Sequence, residues 1–296
     1  MKIAFGIIVL NGNYVLKEVL KTIYPYASQI LIAEGPVTYW QDRGYTTSID
    51  GTNEVIDNFP DAENKIKIVH SQYTEKKSQC NAYMSMMNDN IDYMWQIDAD
   101  EVYKPEDIEK MIALLEKEQY TSVGFQSTSF YGGFERYITG YEQKFEFMRI
   151  FKVYPGSMWE KHRPPTMKHR KGYKTLPKHL SFKITAEKYG IYIYHYSYVF
   201  PFQVFEKIKY YKAAVSKNVS IDNYLEKVYF PWINGDNQSR FYIEQQYQGV
   251  HEFKPKVRGD AYTEHFKGEH PKIIQDNIGK YIDKFTKQLK MLNDER

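Results

Sequence analysis

Tyr93-Met94-Trp95-Gln96-Ile97-Asp98-Ala99-Asp100-Glu101 is an apolar run that stops abruptly in three acids. Its length and apolar continuity predict a strand buried on both faces. In an extended chain the side chains at i and i+2 point the same way, so Asp98 and Asp100 are expected on one face, able to share one cation or one ligand. Carboxylate oxygens are hard donors suited to Mg2+ or Mn2+, ions that keep open positions for phosphate oxygens. The same spacing also suits a helix cap or a turn, and only context separates the two readings.

The context upstream is regular. Ile3 to Leu10 is almost wholly apolar and ends at Asn11-Gly12-Asn13, which predicts a buried strand and a turn. Val15, Leu16, Val19, Leu20 and Ile23 then follow helical spacing, and Pro25 stops the run. A second buried strand, Ile30 to Ala33, ends in Glu34-Gly35. Ser48-Ile49-Asp50-Gly51-Thr52 is rich in helix caps, and capping alone accounts for Asp50 and Thr52. Ile66 to Val69 is a third strand, and Cys80, Tyr83, Met84 and Met87 recur at helical spacing, which makes Cys80 a core thiol. After the focal strand, Pro105 opens a helix with Glu106 and Asp107 in its first turn and Ile108, Met111, Ile112 and Leu115 facing inward. Four alternations of strand and helix predict an open α/β sheet whose ligands lie beyond the carboxyl ends of its strands. Asn11, Glu34 and the acid pair all fall at such ends.

Composition narrows the function. The 296 residues suffice for one large domain or two packed halves. A net charge of only +3 speaks against a general nucleic-acid binder. Cys80 is the only cysteine, so no intrachain disulfide exists and a reducing compartment is expected. The longest apolar run is too short to span a bilayer, so the chain is expected to lack a transmembrane segment and to be cytoplasmic, or peripheral at a membrane surface. The 28 tyrosines suit stacking of bases and sugars, or reflect compositional drift.

The second half changes character. Ser122 to Tyr131 and Lys144 to Val153 are expected as longer strands. Lys161 to Lys178 holds Lys and Arg but no acid, with two adjacent prolines, and is expected to be a loop: either a solvated segment or a clamp for a diphosphate. Ile191, Ile193 and His195 share a strand face opposite three tyrosines. Such a histidine is either a hydrogen-bonded core residue or a metal ligand. His265 and His270 lack partners spaced for a zinc site, and a last helix is expected near 272 to 290.

The order of apolar strand, Asn11, amphipathic helix, strand ending in Glu34, Ser48-x-Asp50-Gly51-Thr52 and Asp98-Ala99-Asp100-Glu101 before a proline-started helix resembles a family 2 glycosyltransferase. The resemblance is firm over residues 3 to 118. It implies an α/β, GT-A (Rossmann-like) mixed sheet flanked by helices, with a C-terminal helical or irregular extension. Residues 1–120 would be the nucleotide-sugar-binding half, 121–222 the acceptor-side half and 223–296 the extension. It further implies Asp100 as main ligand of a Mn2+ or Mg2+ cofactor with Asp98 as its partner, and His195 as a late ligand. Asn11 and Glu34 match the base and ribose pocket. Lys77 is left for phosphate contact because Gln79-Cys80 stands where an Arg is often found, and Arg163 belongs to the diphosphate clamp. Arg149-Ile150-Phe151 followed by Trp159-Glu160 implies Glu160 as the catalytic base, with Glu142 and Glu146 in reserve.

The activity implied is metal-dependent, inverting transfer of a sugar from a UDP- or GDP-type donor to a hydroxyl on a glycan, lipid-linked or protein acceptor, with no nucleic-acid partner. Two alternatives stand beside it. A nucleotidyltransferase would favour a Gly-rich phosphate loop after the first strand, which Asn11-Gly12-Asn13 does not supply. An inactive carbohydrate-binding relative suits the aromatic content but not the intact acid pair.

Overall fold

In the computed structural model the chain begins β1 (Ile3–Val9), α1 (Leu16–Ile23), β2 (Gln29–Glu34), α2 (Thr38–Gln41), α3 (Thr52–Asp57), β3 (Ile66–His70) and α4 (Lys76–Met84). It continues β4 (Tyr93–Asp98), β5 (Glu101–Val102), α5 (Pro105–Glu118), β6 (Ser122–Tyr131), β7 (Arg136–Ile138), β8 (Phe147–Lys152), β9 (Met158–Lys161) and β10 (Thr166–Lys168). Then come β11 (His179–Leu180), α6 (Phe182–Glu187), β12 (Tyr192–Tyr198), α7 (Pro201–Ala214) and α8 (Phe230–Asn234). The last elements are α9 (Asn237–Gln246), β13 (Thr263–His265), α10 (Lys272–Gln275) and α11 (Ile278–Asp294). Residues 1–169, 177–214, 223–247 and 262–294 are described. Residues 170–176, within the basic stretch, lie outside them.

Packing divides the chain into two compact units, residues 1–126 with 146–193, and residues 127–145 with 194–296. In the first, β1, β2, β3 and β4 are mutually parallel, in the order β3-β2-β1-β4. β8 adds antiparallel to β4, the start of β6 adds antiparallel to β8, and β11 adds parallel to β6. The sheet is therefore mixed. Its centre is dry: Phe5, Ile7, Ile30 to Ala33, Met94, Trp95 and Ile97 are all fully buried, as continuous apolar strands covered on both faces require. α1 contributes Leu16, Val19, Leu20 and Ile23 to that core, and α5 contributes Ile108, Met111 and Leu115.

Register puts chemistry on one edge. Val9 pairs with Glu34, Glu34 with His70, and Ile8 with Asp98, so these strand ends finish level. Gly35 follows Glu34 at φ +136, and a Cβ there would lie 1.9 Å from the Ser71 carbonyl oxygen. Only glycine allows β2 and the chain after β3 to approach so closely.

Two expectations change. The strand expected from Lys144 starts only at Phe147, because residues 140–144 form a 3-10 turn. Part of the expected loop after Lys161 is ordered as β10, which pairs antiparallel with β9. The expected helical or irregular C-terminal segment also contributes one short strand, β13, which pairs with β7.

The second unit is built on aromatic rings. Tyr131, Tyr224, Tyr229, Phe230 and Trp232 form one buried cluster with Ile138, Val204, Val228 and Leu292. Tyr131 and Tyr224 join their hydroxyls at 2.5 Å, which satisfies two polar groups that burial would otherwise strand. His270 accepts from the Tyr196 hydroxyl and bonds the Phe134 carbonyl, so it is a structural histidine among rings.

Candidate functional site

The acid run is shaped by one buried ion pair. β4 ends at Asp98, and residues 99–100 form a turn into β5. Strand alternation therefore does not carry through to Asp100, and the one-face argument for the two aspartates does not hold. Glu101, fully buried, folds back so that its Oε2 accepts the Asp98 amide at 3.2 Å. Arg149, from β8, closes on Glu101 through Nε and Nη2 at 2.9 and 2.5 Å and reaches Asp98 Oδ2 at 3.0 Å. A carboxylate with no water contact needs such a partner, and the planar guanidinium supplies it bidentately. Burial opposes the charge on Arg149, but Glu101 and then Asp98 push its pKa further up, so it stays cationic.

A second guanidinium reaches the same carboxylate from outside. Arg163 follows β9 in the turn toward β10, is half exposed, and donates to Asp98 Oδ2 at 3.4 Å. β9 is held by a clasp: the Asn81 side chain on α4 donates to the Trp159 carbonyl at 3.0 Å and accepts its amide at 2.8 Å. Trp159 is buried on the α4 side, so Glu160 falls on the exposed face of β9.

Between these elements lies His162. Burial, then Lys76 and Arg163, push its pKa down to about 3, so the ring is neutral near pH 7. Its Nδ1 lies 3.7 Å from the Cys80 thiol, whose pKa burial pushes up to about 12. A protonated thiol donates weakly to Nδ1, which leaves the ring proton on Nε2. That Nε2 is buried without a protein partner. A lone N–H beside Lys76 and Arg163 suits an anion. Neither His162 nor Lys76 had a signal in sequence, because both act through neighbours distant along the chain.

The other expected residues have defined places. Asn11 sits at φ 53, a left-handed position that Asn tolerates. Its amide donates to Ser48 Oγ and its Oδ1 accepts the Ile49 amide, both at 2.9 Å. Glu34 is 1% exposed and accepts from the Ser48 amide at 2.6 Å, from Thr47 Oγ1 at 3.0 Å and from His70 Nδ1 at 3.0 Å. The N-cap of α3 is Gly51 without a side-chain cap; Asp50 instead accepts the Asn13 amide at 2.9 Å and the Thr52 amide at 3.1 Å, and Thr52 Oγ1 accepts that of Gly12 at 2.8 Å, which corrects the expectation that capping alone accounts for Asp50 and Thr52. Asn11 and Glu34 thus fasten residues 47–52 to the ends of β1 and β2. Lys77 pairs with Glu75 at 3.0 Å. Gln79, which stands where an Arg is often found, is buried and donates to the Ala33 and Gly35 carbonyls at the end of β2. Glu146 accepts His179 Nε2 and the Phe182 amide at the start of α6. The Glu142 side chain lies outside those described. His195 is buried on β12 in the second unit.

Comparison with known proteins agrees with this layout. The model of glycosyl transferase family 2 matches residues 46–186, which span the acid run, Arg149, the β9–β10 hairpin and α6. With the order β3-β2-β1-β4 and the antiparallel β8, the fold is a GT-A-type, Rossmann-like mixed α/β sheet flanked by helices, similar to family 2 glycosyltransferases. No curated protein matches the chain by sequence. Among solved structures, S. aureus TarS is 13% identical at a TM-score of 0.33, over 44% of this chain and 22% of that one. TarS 1-349 in complex with UDP-GlcNAc is 11% identical at 0.35, over 45% and 36%. The 4-diphosphocytidyl-2C-methyl-D-erythritol synthase from Anaerococcus prevotii is 11% identical at 0.31, over 64% and 82%. The chain thus spans about a fifth to a third of the TarS chains it matches.

Proposed function

We propose that this chain is a glycosyltransferase that moves a sugar from a nucleotide-diphosphate sugar to a hydroxyl acceptor. The observation that carries the reading is the pairing of Asp98 with both Arg149 and Arg163 at the carboxyl edge of the sheet. Acids and bases meet there in balance, the carboxylates of Asp98 and Glu101 against the guanidinium groups of Arg149 and Arg163. Such a site takes a diphosphate together with a divalent cation, since each offsets the other's charge.

Asp98 and Asp100 supply hard oxygen donors in a single turn and fit Mn2+ or Mg2+, whose Lewis acidity would stabilise charge on the leaving phosphate oxygen. Arg163 is half exposed and able to exchange Asp98 for phosphate. Lys76 and the His162 Nε2–H complete the anion seat, and in this reading Lys77 plays no part. Arg149 and Glu101 position Asp98 from below. Asn11 and Glu34 hold the 47–52 segment beside the nucleoside rather than touching it. Glu160, exposed on β9, takes the proton from the acceptor hydroxyl, and attack opposite the leaving group inverts the anomeric centre.

The test is a thermal-shift and turnover screen of UDP-, GDP-, dTDP- and CMP-sugars with and without Mn2+. One donor class is expected to stabilise the protein, and Asp100→Ala to abolish its metal-dependent part. Glu160→Gln is expected to lower transfer by about a hundred- to ten-thousand-fold while leaving donor binding intact. If no nucleotide sugar binds or turns over, the transferase reading fails. If Glu160→Gln transfers normally, Glu160 is not the base.

A further inference from the structure

The second unit carries a concave site of its own. α9 presents Asn237, Phe241, Glu244 and Gln245 at i, i+4, i+7 and i+8, one face of the helix, toward Arg136 on β7 and the Tyr262-Thr263 start of β13. The cleft encloses about 270 Å³. Phe241 and Tyr262 are 57% and 41% exposed, high for large rings. Beneath them the floor is fixed. Glu244 is buried and accepts from Trp232 Nε1, from the Thr263 amide and from Thr263 Oγ1. Arg136 holds Thr263 through Nε at 3.1 Å and Nη2 at 3.0 Å.

From this arrangement we infer that the cleft binds a neutral saccharide. The argument rests on what the lining offers and what it refuses. Aromatic faces take the C–H faces of a pyranose, and planar amides and a guanidinium bond paired hydroxyls. Asn237, Gln245 and the Tyr262 hydroxyl make no side-chain hydrogen bond among the described residues, so their groups are available to a ligand. Among the described residues of the lining, one guanidinium and one carboxylate, Arg136 and Glu244, balance in charge, which disfavours phosphates, nucleotides and polyanions. A volume just below that of drug-sized ligand pockets fits one or two sugar rings rather than a nucleotide sugar. Binding here does not depend on donor chemistry; that the bound saccharide is the acceptor or growing product rests on the transferase reading.

Saturation-transfer NMR on the full chain tests it, with methyl β-glucoside, methyl β-N-acetylglucosaminide, cellobiose and chitobiose as probes and UDP followed in parallel. At least one probe is expected to receive saturation on its ring protons and to bind about tenfold more weakly to Phe241→Ala and to Gln245→Ala. Both positions are exposed, so neither variant threatens folding. UDP binding should be unchanged in both. If no probe receives saturation, or if both variants bind the probes as tightly as the parent, the inference is wrong. Sugar binding without UDP binding keeps this site and removes only UDP as the donor nucleotide; UDP binding without sugar binding removes this site and keeps the donor reading.

Discussion

The most consequential side chain of the candidate site is Arg149, and the sequence alone shows only part of its role. Arg149-Ile150-Phe151 marks its place in the chain, but its partner Glu101 lies 48 residues away, and nothing local links the two. Sequence shows where acids cluster; it does not show which of them is taken out of water. Glu101 is fully buried and the Arg149 side chain 3% exposed, so the pair has little solvent to fall back on. Arg149→Met should therefore destabilise the fold by about 3–5 kcal/mol in urea unfolding, because it leaves a buried carboxylate uncompensated. Arg149→Lys should recover only part, since an ammonium cannot form the two-pronged contact. Arg149→Met with Glu101→Gln should be milder than Arg149→Met alone, as no buried charge is then stranded. A loss below about 1 kcal/mol in Arg149→Met, the range of an ordinary surface change, would mean that the pair does not shape the acid turn.

At the scale of elements, the strands and helices of the first unit were legible because each announces itself locally. Apolar continuity marked β1, β2 and β4, helical spacing marked α1 and α5, and Pro105 marked where α5 begins. The segments that link them were not legible. The 47–52 segment is stitched by Asn11, Glu34 and Asp50, and the β9–β10 hairpin is held by Asn81, all through contacts between residues far apart in sequence. The clasp gives a direct expectation. Asn81→Ala removes both bonds to the Trp159 backbone at a cost of about 1–3 kcal/mol, and should raise hydrogen exchange at the Trp159 amide without raising it in β1 or β2. Asn81→Asp keeps the acceptor for that amide but sets a carboxylate against the Trp159 carbonyl, so its protection should fall between the two. Equal exchange at Trp159 in parent and Asn81→Ala would show that burial of the indole alone holds β9.

Across the whole molecule, legibility follows the type of packing. The first unit buries aliphatic strands in a repeating order, whereas the second buries tyrosines, phenylalanines and Trp232, residues that read equally as surface or core in a chain this rich in them. Nor does sequence reveal a titrating group whose effect is on global stability, and His162 is one. Its pKa falls from 6.5 to about 3 in the folded chain, chiefly through burial and then through Lys76 and Arg163. Between those values the unfolded chain binds the proton and the folded chain does not, so protonation favours unfolding. The sign follows: stability is full above about pH 6.5 and declines as pH falls toward 3, by at most about 1.4 kcal/mol per pH unit from this residue. The carboxylates titrate in the same range, so the comparison must be between parent and His162→Gln rather than between two pH values. Denaturant unfolding of both from pH 7.5 to 4.5 should give a parent curve that falls more steeply on the acid side, the gap opening near pH 6.5 and widening below it. Parallel curves would mean that His162 becomes protonated without unfolding, and that the neutral Nε2–H assigned to the anion seat does not exist at acid pH.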